Sequence, residues 1–96
     1  MSRTIEFKPG DQIAYIPMHA DGDINHQDVE FGFVTSVCSD TSALFCRYWS
    51  KYSPGELRTK ANSESTPIDM LVHHVTVIQS KVDALLEELG YRAKAL

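Results

Sequence analysis

Short apolar runs separated by turn residues recur along this chain, and that rhythm does most to restrict its fold. Lys8-Pro9-Gly10-Asp11 leads into Gln12-Ile13-Ala14-Tyr15-Ile16, which stops at Pro17. Glu30-Phe31-Gly32-Phe33-Val34-Thr35-Ser36-Val37 and Ala43-Leu44-Phe45-Cys46-Arg47-Tyr48-Trp49 follow. β-Branched and aromatic residues suit a pleated, half-buried surface, and a proline has no N–H to give a ladder. The pattern predicts a mainly β domain with strands at about 11–16, 31–38, 43–49, 56–60 and 71–78.

Residues 1–8 read as a loose arm or short edge strand. Ser53-Pro54-Gly55 reads as a turn, and Asn62 to Thr66 as turn-like. Pro67-Ile68-Asp69-Met70 predicts one helical turn, because proline suits a first helical position. Val75-Thr76-Val77-Ile78 favours a strand over 71–78. The same stretch also fits a heptad rhythm through Val75, Ile78, Val82, Leu85 and Leu89, with Thr76 and Gln79 as a capping box. A helix is expected next. Ser80 is its candidate N-cap, Asp83 lies in its first turn, and Gly90 is its candidate C′ residue. Val82, Leu85, Leu86 and Leu89 share one helical face, which either closes on its own sheet or meets a second chain.

Ninety-six residues make one domain with one modest core. The formal net charge of −4 argues against nonspecific binding to a phosphate backbone. Met1 to Glu6 lacks the apolar core of a secretory signal, and no run reaches membrane-spanning length, so a cytoplasmic location is expected. Cys38 and Cys46 are the only cysteines. A hairpin turn at Asp40-Thr41 would set Cys38 opposite Ala43 and Cys46 opposite Thr35. That register separates the sulfurs, so both are expected as small buried thiols without a disulfide.

Gly10-Asp11 before the first strand, Gly32-x-Val34 in the second, and Phe45-x-Arg47-Tyr48 in the third carry a resemblance. Pro67-x-Asp69-x-Leu71 before the last strand completes it. Over about residues 8–78 the chain resembles the SH3-like small barrels, with a layout shared by Tudor and KOW domains. As a whole it resembles small uncharacterised proteins of phages, prophages and mobile elements. The resemblance implies a closed five-stranded barrel with one added C-terminal helix, serving as a non-catalytic binding module. Fold alone does not supply the partner.

The 18–30 loop carries His19, Asp21, Asp23, Asn25, His26, Asp28 and Glu30. Asp21-x-Asp23-x-Asn25 imitates the start of an EF-hand loop, but His26 stands where glycine is required and Gly32 where glutamate is required. His19, His26 and a carboxylate offer transition-metal donors at a spacing that matches no established motif. A solvated loop with local Asp and Asn turns is the simpler reading, and no metal or cofactor is expected. Neighbouring His73 and His74 point to opposite faces of a strand and cannot readily share one ion.

Aromatic residues give a second candidate surface. Most phenylalanines are expected in the core, whereas Tyr48, Trp49 and Tyr52, at a strand end and in the next loop, are expected to be partly exposed. The contact surface for an unidentified protein partner is therefore expected from Tyr15, His19, Asp21, Asp23, His26, Asp28, Tyr48, Trp49 and Tyr52. A competing reading puts Arg47, Lys51, Arg58 and Lys60 on nucleic-acid phosphates, with the nearby aromatics stacking on bases. A metal-binding loop and a structural homodimer are further alternatives. No nucleophile with a base, no P-loop, no His-Glu-x-x-His and no Cys-x-x-Cys occurs, so an enzyme is not expected.

Overall fold

The computed structural model describes residues 7–37, 43–50, 52–58 and 64–90. Six strands precede one helix: β1 (Gln12–Tyr15), β2 (Glu30–Val37), β3 (Ala43–Ser50), β4 (Ser53–Leu57), β5 (Glu64–Pro67), β6 (Leu71–His73) and α1 (Gln79–Glu88). They form one antiparallel sheet in the order β4-β3-β2-β1-β6. β3 organises it. One edge of β3 pairs with β2, and the other is shared between β5, opposite Ala43–Cys46, and β4, opposite Trp49 and Ser50.

This corrects the expected closed five-stranded barrel. Among the described residues no ladder joins β6 to β4 or β5, so the sheet is open. The last strand pairs only through Leu71–His73. Beyond it the Gln12 side chain takes up the backbone of Thr76 and Val77, so the β-branched run is not a paired strand. Val75 and Ile78 stay exposed. Ser53-Pro54-Gly55, expected as a turn, opens β4, where an edge position tolerates a proline without a donor. The turn-like 62–66 stretch gives way to β5 from Glu64. The helical turn expected after Pro67 is present as a 3₁₀ turn over Ile68–Met70. Residues 1–6 of the expected N-terminal arm (1–8), Cys38 with its hairpin turn, and residues 59–60 of the expected fourth strand lie outside the described residues, whereas Phe7 of that arm packs into the core.

The β2–β3 register follows the expected hairpin at Val37↔Leu44 and Ser36↔Phe45, then slips by one residue. Cys46 therefore lies opposite Val34 and not Thr35. The slip is a bulge at Thr35, whose hydroxyl donates to the Phe45 carbonyl at 3.0 Å. Cys46 is buried and not in a disulfide, as expected.

Both faces of the sheet are covered. Side chains alternate along each strand, so Ile13, Val34, Leu44, Cys46 and Tyr48 meet in one cluster. Phe33 and Trp49 go to the other face, where Val82 and Leu86 of α1 cover them. The apolar face of α1 thus closes on its own sheet. Full burial of Val82 and Leu86 is worth about 1.5–3 kcal/mol each. α1 begins without a side-chain cap: Ile78, not Ser80, holds the N-cap position. It ends as expected at Gly90, whose φ of +92° lies in the left-handed region that favours glycine. No helix among the described residues is long and apolar enough to cross a membrane.

Candidate functional site

The 18–30 loop is folded. Pro17 ends β1, and Met18–Ala20 forms a 3₁₀ turn closed by Asp21 in the left-handed region at φ 54°. The Asp23 carboxylate accepts the Asn25 amide at 2.9 Å, making an Asx turn. Ala20 and Val29 are buried against Ala14 of β1 and anchor both arms of the loop. Backbone bonds from His26 to Asp23 and from Val29 to His26 tighten the rest.

This path brings three loop side chains together. His19 Nε2 lies 2.7 Å from Asp28 Oδ2. His26 Nδ1 accepts the Asp28 amide at 3.0 Å, and the two imidazoles meet edge to face at 5.3 Å. Asp21 and Asp23 do not join them. Asp21 borders a separate groove with Met18 and Pro67, and Asp23 serves the turn.

Tyr15, His19, Asp28, Trp49 and Tyr52 all line one open cleft of about 480 Å³, between the loop and the β3–β4 connection. Glu30 and Arg58 face the same space and form a salt bridge across it. The expected exposure of the aromatics is only partly found. Tyr52 is 93% exposed, but Trp49 is 1% and Tyr48 5% exposed. The reason is the two-sided sheet: alternation sends Tyr48 to one covered face and Trp49 to the other. Trp49 reaches the cleft only as part of its lining, and its indole N–H has no acceptor among the described residues.

Tyr48 belongs to the core. Its hydroxyl lies 2.8 Å from Thr66 Oγ1. Burial pushes its phenol well above the usual tyrosine range, and nearby Cys46 acts in the same direction. It borders a smaller cavity of about 180 Å³ with Tyr15 and Glu30.

Of the basic set, Arg47 and Arg58 are described. Arg47 is buried in the sheet. Arg58 is engaged by Glu30. Lys51 and Lys60 lie outside the described residues. His73 and His74 diverge as expected, His73 stacking on Phe7 and His74 lying against Phe31.

Two features escaped the sequence reading. Gln12, buried in β1, binds the 76–79 segment through four hydrogen bonds, and a polar residue beginning an apolar run was the only signal. The Glu30–Arg58 pair joins residues far apart in the chain and had no local signal.

No family model matches the chain, and no curated protein or solved structure is significantly similar to it.

Proposed function

We propose that the protein is a non-catalytic binding module that takes a segment of another protein in the cleft between the 18–30 loop and the β3–β4 connection. The observation that carries this reading is Tyr52, 93% exposed on the lining of a concave surface. Tyrosine supplies large contact area at small entropy cost, which is why it is enriched where partners bind. Asp28, Glu30, Arg58 and His19 give the cleft charges of both signs, as expected of a polar rim.

Among the described residues the cleft lining holds no serine, threonine, cysteine or lysine nucleophile, so the reading offered is binding and not catalysis. The burial of Arg47 counts against the competing phosphate-binding reading, which relied on it as one of four cations.

The test is affinity capture from lysate with and without nuclease, followed by a binding measurement with the Tyr52→Ala variant. A stoichiometric protein that survives nuclease and is lost with Tyr52→Ala is the expected result. Nucleic acid in place of a protein, or a protein retained undiminished by Tyr52→Ala, overturns the reading.

A further inference from the structure

We propose that His19, His26 and Asp28 form a binding site for one divalent transition-metal ion, zinc by its donor set. One ligand atom from each lies within 4.8 Å of the other two. Two imidazoles and one carboxylate suit zinc and its neighbours. A hard cation such as calcium needs six or more oxygens, and Asp28 is the only carboxylate of the cluster.

The spacing matches no metal motif in sequence; only the folded loop brings the three donors together. That loop is anchored at Ala20 and Val29 and braced by the Asx turn at Asp23. Its backbone is therefore ordered before any ion arrives, which lowers the cost of binding.

The rearrangement required is small at the His19–Asp28 pair and just over an ångström at the widest pair of donors. Tetrahedral bonds of about 2.0–2.2 Å set ligand atoms roughly 3.3–3.6 Å apart. His19 Nε2 and Asp28 Oδ2, hydrogen-bonded at 2.7 Å, must part by less than an ångström to admit the ion. Both side chains are more than half exposed, so rotation meets little resistance. His26 exchanges a hydrogen bond for the metal bond. Ligation through Nδ1 displaces the Asp28 amide, and ligation through Nε2 makes Nδ1 the protonated nitrogen. The site is accordingly weaker than a closed four-ligand structural site. Three protein ligands leave a fourth position for water or for a donor from the cleft, which His19 and Asp28 also line. The assignment does not depend on the cleft taking a protein partner.

The experiment is calorimetric titration of untagged protein with zinc chloride, with cobalt absorption as a second readout of coordination. One zinc per chain is expected, with affinity falling at least about tenfold in His19→Gln, His26→Gln and Asp28→Asn. Asp21→Asn, which keeps its left-handed turn and lies outside the cluster, should bind like the wild type. A wild-type melting point that rises with zinc, and does not rise in His19→Gln, is the independent readout. No heat and no stabilisation at about 100 μM zinc, which corresponds to binding weaker than about −5.5 kcal/mol, overturns the site. So does zinc binding that survives all three ligand substitutions unchanged.

Discussion

The side-chain amide of Gln12 pairs with the backbone of Val77 on both sides: Nε2 donates to the Val77 carbonyl at 2.8 Å, and Oε1 accepts the Val77 amide at 3.0 Å. The same Oε1 accepts the Thr76 amide at 3.0 Å, and Nε2 also reaches Gln79 Oε1 at 3.2 Å. Gln79 in turn donates to the Gly10 carbonyl at 2.7 Å. One side chain thus stands in for a neighbouring strand where the ladder from β1 has ended. It holds the segment that delivers α1 to the Phe33–Trp49 face.

Gln12→Ala should therefore cost about 2–4 kcal/mol in urea unfolding, because two backbone amides lose their acceptor and one carbonyl its donor. Gln12→Leu, which keeps the volume, should recover little of that loss. A Gln12→Leu variant as stable as the wild type would mean that packing, not the amide, holds the 76–79 segment.

Gly32 lies opposite Tyr48 in the β2–β3 ladder, and a Cβ there would stand 1.9 Å from the Arg47 carbonyl oxygen. Backbone cannot yield as a flexible side chain does. Gly32→Ala should destabilise by about 1–3 kcal/mol or more, measured by chemical denaturation. An unchanged midpoint would show that the two strands do not approach this closely.

Tyr48 makes stability depend on alkaline pH. Its folded pKa is raised by burial above the ordinary value of about 10, so above that pH the unfolded chain loses a proton that the folded chain keeps. The contribution is fully present below about pH 10 and is lost as pH rises beyond it, by up to about 1.4 kcal/mol per pH unit. Tyr48→Phe should flatten this part of the profile while costing about 1 kcal/mol at neutral pH, through the lost contact with Thr66. Identical alkaline slopes in the two proteins would place the titrating group elsewhere.

The first three strands and the helix were legible because their apolar spacing matches what they bury. β1 to β3 alternate between two covered faces, and Val82 and Leu86 recur at one helical turn. β4 was legible only at Glu56 and Leu57, where it overlaps the expected strand at 56–60, and β5 was not legible. Each is an edge segment, and Ser53-Pro54-Gly55 carries turn chemistry that an edge permits. In β5, Thr66 is buried while Ser65 and Pro67 are exposed, so no apolar pattern marks it. Val75 to Ile78 misled in the opposite sense: β-branching favours extended backbone but does not provide a partner strand. The site divides likewise. The long loop and Tyr52 were visible as a polar stretch and an aromatic after a strand. The meeting of His19, His26 and Asp28 depends on turns at Asp21 and Asp23 that spacing does not encode.

Two aromatics on the same cleft should separate folding from recognition. Trp49 is buried against Phe33, with ring centroids 5.9 Å apart, and belongs to the cluster under α1. Trp49→Ala should cost about 3–5 kcal/mol, a large part of the stability of a domain this size. Tyr52 is 93% exposed, and Tyr52→Ala should leave the unfolding free energy within about 0.5 kcal/mol. If the cleft is the recognition surface, Tyr52→Ala loses about tenfold or more in affinity for the captured partner, the size expected of an anchoring tyrosine. Thermal melts and a binding isotherm on both variants read the two effects separately. Tyr52→Ala with unchanged stability and unchanged affinity would remove the cleft from recognition. Tyr52→Ala that unfolds the domain would mean that the tyrosine packs in the folded protein and is not held out for a partner.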